Sequence, residues 1–416
     1  MKKVWIINQY ITTPEIEGDG YRHYYIAKHL KEQRSKFKLF LITSSFAHAP
    51  YRHNKFRGLY KYVNKGIPTL ILKGNKYGDS DGFGRMINWI VYCVVLCILP
   101  FISRRKLPKP DIIVLSSIPL LPIVNIVFFK LLYPRCKFIF EIRDIWPLSA
   151  IELGNYSEKN FFIKVLQYLE KLAYKKADLI ISVVPKADIH IREVLGHDHF
   201  VFRWITNGFE IPGNKGSIGE ASSKNEFDFP ADTFKIGYAG SLVLANPLDT
   251  VIRVVGDLEA KNIHLYILGD GPERKRYEKL SEGFKNIHFL GRVPKIMVDE
   301  FNAKMDVLFM GKGTNRTNLY NYGTSQLKTF DYFYAKKPII QALSSDENPV
   351  TYARAGYVVP PEDEHMMREK IEYFQNLSED ERAAYGIRGY DYLLANCTYD
   401  HITALYESAF RMVLSA

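Results

Sequence analysis

The chain has 416 residues, too many for one ordinary hydrophobic core and suited to two domains. Its 47% hydrophobic and 24% charged content is that of a folded globular protein, and a formal charge of +11 points to anionic partners. With neither a zinc-finger spacing nor an RNP-type motif nor a dense basic helix, nucleic acid gives way to nucleotide phosphates or an acidic membrane surface.

The first predicted strand is residues 3–8 (KVWIIN). That apolar run is only a strand long, so no signal peptide is expected and the chain is placed in the cytoplasm. "EGDGYRH", residues 17–23, leaves this strand and enters a helical pattern from Tyr21 to Gln33. Gly18 and Gly20 would bring backbone amides against a phosphate or sugar, with Arg22 and His23 in the first turn facing the anion. A solvated helix start is the other reading of the same residues. Residues 38–43 (KLFLIT) form the next strand, followed by the basic, Tyr-rich stretch 51–65.

Residues 78–82, "GDSDG", contain a DxD-like pair of the kind a metal site uses, but it falls outside any strand end and reads as a loop. Residues 89–102, "WIVYCVVLCILPFI", are apolar almost all round and lead into Arg104, Arg105 and Lys106. The run is shorter than the about 18 residues of a spanning helix and is broken by Pro100. The segment from about 85 to 109 therefore reads as an interfacial helix against anionic headgroups, or as a helix buried in a parallel-sheet domain.

Strands follow at 111–116 (DIIVLS), 137–141 (KFIFE) and 179–184 (LIISVV), with a helix at Phe161–Lys176 between the last two. "EIRDIWP" puts Arg143 and Asp144 at the carboxyl tip of a buried strand, where polar groups are costly unless used or paired. Arg143 pairing with Asp144 or Glu141 is the alternative to a catalytic role. The four cysteines, Cys93, Cys97, Cys136 and Cys397, have no CxxC spacing and no paired histidines, so a reducing compartment and no metal site are expected.

Gly, Ser and charge dominate residues 212–233, the predicted linker between a domain at 1–211 and a second at 234–399. Strand-like runs then restart: FKIGYAG, IHLYILG, IHFLG, DVLFMG, KPIIQAL and AGYVVP. Alternation of this kind predicts α/β domains with parallel sheets wound on both faces, binding ligands at the carboxyl ends of their strands. Two such domains in series would face a central cleft. The helix at 400–416 is expected to return to the first domain.

Three loops of the second half would converge at such strand ends. Gly240 and Ser241 follow the first strand, where small residues let a backbone approach a phosphate. Gly269, Asp270 and Gly271 make a turn that starts a helix. "YNYGTSQLKTFDYFYAKKPII", residues 320–340, reads as a turn, a short helix and a buried strand. Thr324 or Ser325 would cap that helix, and Leu327, Phe330 and Tyr334 would pack inward. Lys328 and Asp331 share another face. They form either a solvated charge pair or a site in which the helix mouth holds a phosphate and the carboxylate a ribose diol.

In their order along nearly the whole chain, "INQYITTPEIEGDGYRHYYIAKHL", "EIRDIWPLSAIELG", "GYAGSL", "LGDGPE", "FLGRVP", "SQLKTFDYFYAKKPII" and "AGYVVPPED" resemble the retaining family-four glycosyltransferases of GT-B fold. The match is to the WbuB-like branch of bacterial surface polysaccharide biosynthesis. That resemblance implies sugar transfer from a nucleotide-diphosphate sugar, UDP-linked, to a polyprenyl-diphosphate-linked saccharide in O-antigen, capsule or exopolysaccharide assembly. It also implies a hexosyl or N-acetylhexosaminyl enzyme without metal or cofactor, peripheral to the inner face of the cytoplasmic membrane. Asp331 takes the ribose-holding position of the family's Glu-x(7)-Glu pattern, and Lys328 matches a lysine of the related branch.

The first acid of that pattern falls on Gly323, so the backbone of Gly323, Thr324 and Ser325 would serve in its place. In "GSLVLANPLD" the branch's glycine and lysine are Val243 and Leu244; Arg292, Lys312 and Arg316 are candidate substitutes for the missing cation. Asp144 would orient the acceptor or steady the reaction centre, with Arg143 and His23 beside it. A nucleotide-sugar 2-epimerase of the same fold, and a degenerate nucleotide- or partner-binding protein, are the alternatives.

Overall fold

The computed structural model describes residues 1–14, 21–46, 56–78, 82–154, 156–212, 227–314 and 317–415. They divide into two compact units, Met1–Gly208 with Tyr399–Ala416, and Phe209–Thr398. Most of the predicted linker, residues 213–226, lies outside the described residues, as do Gly18, Gly20, Arg316, residues 51–55 of the basic stretch and residues 79–81 of the DxD-like loop.

The first unit begins with β1 (Lys2–Ile7), α1 (Arg22–Glu32), β2 (Phe37–Ser44), β3 (Tyr60–Asn64), β4 (Pro68–Leu72) and α2 (Gly82–Ile102). It continues with β5 (Ile112–Ser116), α3 (Ile123–Leu132), β6 (Lys137–Ile142), α4 (Leu148–Gly154), α5 (Phe161–Lys176), β7 (Leu179–Ser182), α6 (Ala187–Leu195) and β8 (Phe202–Trp204). The sheet order is β3-β4-β2-β1-β5-β6-β7-β8, parallel except for the edge strand β3. Strands buried on both faces read as continuous apolar runs, which is why β1, β2, β5, β6 and β7 stand out in the sequence. β3, β4 and β8 were not anticipated: β3 is only partly buried and β8 has three residues.

The second unit runs β9 (Phe234–Ala239), α7 (Asp249–Gly256), β10 (Ile263–Leu268), α8 (Arg274–Leu280), β11 (Ile287–Gly291), α9 (Lys295–Lys304) and β12 (Val307–Gly311). Then come α10 (Leu327–Tyr334), β13 (Ile339–Ala342), α11 (Pro349–Ala353), β14 (Gly356–Val359), α12 (Glu364–Asn376) and α13 (Glu379–Asn396). All six predicted strands form, in the parallel order β11-β10-β9-β12-β13-β14. The order reverses beside β9, the place where ligands bind in doubly wound sheets.

The last helix, α14 (Tyr399–Ser415), belongs to the first unit. Its Ile402, Tyr406, Phe410 and Val413 join the core formed by α1 and one face of the sheet. Tyr25 and Tyr399 lie with ring centroids 4.7 Å apart, and Phe37 and Phe410 at 5.2 Å.

Helix α2 corrects the expectation of a short helix broken at Pro100. It runs 21 residues and takes Pro100 into its last turn. The apolar stretch marks only part of the helix, which starts seven residues before Trp89, at Gly82.

Candidate functional site

In the second unit the loops after β9 and β10 meet backbone to backbone. Gly240 N donates to Leu268 O at 2.9 Å, and Leu242 N to Asp270 O at 3.0 Å. A Cβ on Gly269 would fall 1.9 Å from Gly240 O, and one on Gly271 2.2 Å from Leu242 O. Gly269 also has φ +144°, open only to glycine. The loop-on-loop packing therefore requires glycine at both positions. Asp270 turns back on the loop, its Oδ1 accepting from Gly271 N at 2.8 Å.

Gly240 is different. A Cβ there would fall 2.7 Å from Lys328 Nζ, so the lysine of α10 reaches over the end of β9. Its ammonium lies 4.3 Å from the Tyr238 ring centroid and donates to Tyr238 Oη at 3.1 Å. That hydroxyl in turn donates to Ser241 O at 2.8 Å. Among the described residues no carboxylate forms an ion pair with Lys328. Burial, with the nearby charge of Lys312, pushes its ammonium down to about 7 against the opposing pull of Asp331.

One turn along, burial pushes the Asp331 carboxyl up to about 6, with Lys295 and Lys328 opposing and Asp299 assisting. Two groups of opposite sign, each displaced toward neutrality, thus sit on one face of a helix at the switch point of the sheet. Displaced pairs of this kind are characteristic of functional sites.

The mouth of α10 differs from expectation. Neither Thr324 nor Ser325 caps it: the N-cap is Gln326, which makes no side-chain cap bond. Gly323, at φ +87°, closes the short 3-10 turn Asn318–Tyr322, and the chain then runs on into the helix with Thr324 and Ser325 buried. Thr324 N is taken by Glu347 O at 3.2 Å. Gln326 gives the first-turn amides of α10 no side-chain cap, and its own Nε2 is buried without a partner. Leu327, expected inside, is 50% exposed, while Phe330, Tyr332 and Phe333 fill the core. The inward side of α10 is set by the packing of Thr329, Phe330, Tyr332 and Phe333, which leaves Leu327 facing outward.

Of the candidate substitute cations, Lys312 follows β12, next to β9, and its charge acts on Lys328. Arg292 follows the edge strand β11 and is exposed, two strands from β9. Leu244 is 69% exposed. Tyr238 is the residue that sequence reading missed. The tyrosine in "GYAGSL" looks like an ordinary strand residue, and only its contact with α10 gives it a role.

In the first unit, Arg22 corrects the expectation of a cation facing a ligand. It is 3% exposed. Its Nε donates to Glu141 Oε1 at 3.0 Å, Nη1 to Thr206 O at 2.7 Å, and Nη2 to Ile205 O at 3.1 Å and to Tyr406 Oη at 3.3 Å. A helix start facing a sheet packed on both sides has no solvent to point into.

His23 is also buried, its Nε2 donating to Glu141 Oε2 at 2.6 Å, and Tyr406 Oη donates to Glu141 Oε1. Burial opposes ionisation of Glu141, but His23 and Arg22 hold its carboxyl well below the usual range. Burial likewise holds His23 below its ordinary value, so it is a neutral donor here.

Arg143 stands beside this cluster and is not paired with Asp144 or Glu141 in an ion pair. Its Nε is buried without a partner, and burial lowers its pKa against the pull of Glu141. Asp144 Oδ1 accepts from Ser149 Oγ at 2.7 Å, anchoring it to the first turn of α4. Among the described residues no group of three or more His, Cys, Asp or Glu side chains is placed to hold a metal ion.

Residues 233–376 match the family described as Glycosyl transferases group 1. No curated protein matches the sequence. Among solved structures, sucrose-phosphate synthase from Thermosynechococcus elongatus superimposes with a TM-score of 0.72 at 12% identity, covering 100% of both chains. A structure described as trehalose-6-phosphate from E. coli bound with UDP-2-fluoro glucose gives 0.67 at 12% identity, covering 99% of each chain. Anabaena HepE in complex with UDP and glucose gives 0.62 at 13%, covering 99% of this chain and 100% of that one. These superpositions over the whole chain show that the fold is GT-B.

Proposed function

We propose that the protein is a retaining glycosyltransferase that moves a hexosyl or N-acetylhexosaminyl group from a UDP-linked sugar to a polyprenyl-diphosphate-linked saccharide. The observation that carries this reading is the placement of Lys328 and Asp331 on α10, with the Lys328 ammonium over Gly240 at the end of β9. The presence of UDP or a UDP-sugar analogue in structurally similar proteins supports the choice of nucleotide.

In the reaction, the bond between the anomeric carbon and the diphosphate oxygen breaks as the acceptor hydroxyl bonds to that carbon from the same face and passes its proton to the departing diphosphate oxygen. Negative charge develops on the leaving diphosphate. Lys328, short of a carboxylate partner, and the uncapped first turn of α10 would stabilise it. Asp331 would accept hydrogen bonds from the ribose diol. Arg143 and Asp144 would meet the acceptor. The acceptor's lipid carrier places the protein at the inner face of the cytoplasmic membrane, in assembly of a bacterial surface polysaccharide, and neither metal nor cofactor has a role in this scheme. Leu244, exposed where a cation was expected, favours a second reading in which nucleotide binds without turnover.

Calorimetric titration with UDP, GDP, ADP and CMP tests the donor site. UDP is expected to bind without added metal, and Asp331→Ala to weaken it by roughly 1–3 kcal/mol through loss of hydrogen bonds to a charged acceptor. Equal affinity of the variant would remove Asp331 from the site, and UDP binding with no UDP released from a UDP-sugar in the presence of acceptor would favour the second reading.

A further inference from the structure

Helix α2 is long and apolar enough to cross a membrane by length and composition, yet one side of it, 39% of its apolar window, is buried in the first unit. Trp89, Tyr92, Val95, Leu96 and Leu99 are buried along one side. Asn88, fully buried, accepts from Asn75 N at 2.8 Å, and Tyr92 Oη donates to Ile42 O at 3.1 Å on β2. A spanning helix would have to strip this face from the sheet and carry Asn88 into hydrocarbon, where its lost hydrogen bonds have no replacement.

The opposite side is the reverse. Phe83, Ile90, Val94, Ile98 and Phe101 are exposed at steps of seven, four, four and three, one continuous helical stripe. Phe83 is 68% and Val94 57% exposed. Helix α3 packs alongside, with Asn125 Nδ2 donating to Cys93 O at 2.8 Å and Phe128 lying 6.4 Å from Phe101. It extends the apolar surface with Val124 and Leu131, the latter 77% exposed. Apolar surface shared by two neighbouring helices marks a place where something docks.

Charge says what. No carboxylate occurs from Gly82 to Pro110 or from Ile123 to Cys136. Where α2 and α3 end, Arg104, Arg105, Lys106 and Arg135 are exposed, and Arg104 folds back over the Phe101 ring at 6.0 Å. An apolar stripe bordered at one end by unneutralised cations is the complement of an anionic bilayer surface, hydrocarbon for the stripe and headgroups for the cations.

We propose that α2 and α3 form one docking face that lies on an anionic bilayer, with α2 in the plane of the interface and not across it. This deepens the membrane part of the reading above and rests on it, while involving none of the residues assigned to the nucleotide.

The purified full chain is mixed with phosphatidylcholine vesicles, with and without phosphatidylglycerol, and floated on a density gradient. Co-flotation with the anionic vesicles is expected, reduced at least tenfold by Val94→Asp with Leu131→Asp. Arg104→Ser, Arg105→Ser and Lys106→Ser together should remove the preference for phosphatidylglycerol. Urea unfolding of each variant reports folding of the first unit, and UDP titration reports the second. Retained UDP binding with unchanged flotation overturns the docking face alone, and flotation without UDP binding leaves the face standing while removing the transferase reading.

Thiol labelling tests the orientation. In chains lacking Cys93 and Cys97, a cysteine placed by Gly82→Cys and another by Arg105→Cys should both be reached by an impermeant reagent outside the vesicles. Protection of one end only would mean that α2 spans, and would overturn the proposal. A wild-type dimer that the Val94 and Leu131 changes dissolve, without any effect on flotation, would assign the face to a second copy and overturn it as well.

Discussion

Glu141→Leu is expected to destabilise the first unit by about 3–5 kcal/mol, the usual consequence of removing one member of a buried ion pair. Arg22 would be left as a buried cation with only the carbonyls of Thr206 and Ile205 and the Tyr406 hydroxyl, and His23 would lose its acceptor. The loss is visible as an early transition of this unit in urea, followed by hydrogen exchange in β6 and α14. A double variant, Arg22→Met with Glu141→Leu, should recover much of it, because two apolar side chains do not strand a charge. A loss below about 1 kcal/mol in the single variant would mean that the cluster is hydrated and not the closed network described.

The pH dependence has a definite sign. The folded-state pKa of Glu141 is depressed below its ordinary value of 4.5. Its contribution is therefore complete above that pH and is lost as the pH falls through the depressed folded-state value. Between pH 5 and 7 this group should contribute no slope. Acid unfolding of the first unit in the wild type should acquire a component that the double variant lacks.

Lys328→Met is expected to weaken UDP binding by about 2–4 kcal/mol if the ammonium meets the diphosphate, since such a contact is charged, short and poorly hydrated. The free protein's Lys328 titrates at about 7 and Asp331 at about 6. Binding needs the lysine protonated and the aspartate ionised, so affinity should be greatest between those values and fall on both sides. At pH 8 the wild type should take up a proton on binding, detected by titration in buffers of different ionisation enthalpy. Lys328→Met should remove the alkaline limb and the proton uptake; Asp331→Asn should remove the acid limb. A flat profile in the wild type would take both residues out of the site.

The same substitution separates function from packing. The pKa of Lys328 is depressed from an ordinary 10.5 to about 7, so its unfolded form binds a proton the folded form does not. Stability should rise with pH across that window, and the penalty should be complete below about pH 7. Lys328→Met is therefore expected to raise the thermal stability of the second unit at neutral pH while it weakens nucleotide binding. A purely structural lysine would not produce that opposition.

Much of the second unit was legible from sequence because its signals are local. A parallel strand buried on both faces is a continuous apolar run, and each of the six is bounded by a turn or a helical pattern. Lys328 and Asp331, three residues apart, share a face once α10 is placed. The partly buried β3 and the three-residue β8 carry too little apolar pattern to be seen. The cap of α10 was misplaced because Thr324 and Ser325 are good capping residues, but local preference yielded to the packing of Phe330, Tyr332 and Phe333, which sets where the helix begins.

By itself the sequence determined the α/β class, the two successive parallel sheets and the helix that carries the acid and the lysine, since each depends on the periodicity of neighbouring residues. Only the tertiary structure decided what those residues do. Arg22 meets Glu141 across 119 residues and Tyr406 across 384, and Lys328 meets Tyr238 across 90. No local pattern encodes such meetings. Burial then decides the chemistry: Arg22, with water excluded, became a clasp around Glu141, and Lys328, half-buried and short of a carboxylate partner, became a cation of lowered pKa. The apolar run at 89–102 shows the same division. Its composition was plain in the sequence, but which side faces the sheet and which faces outward was settled by packing.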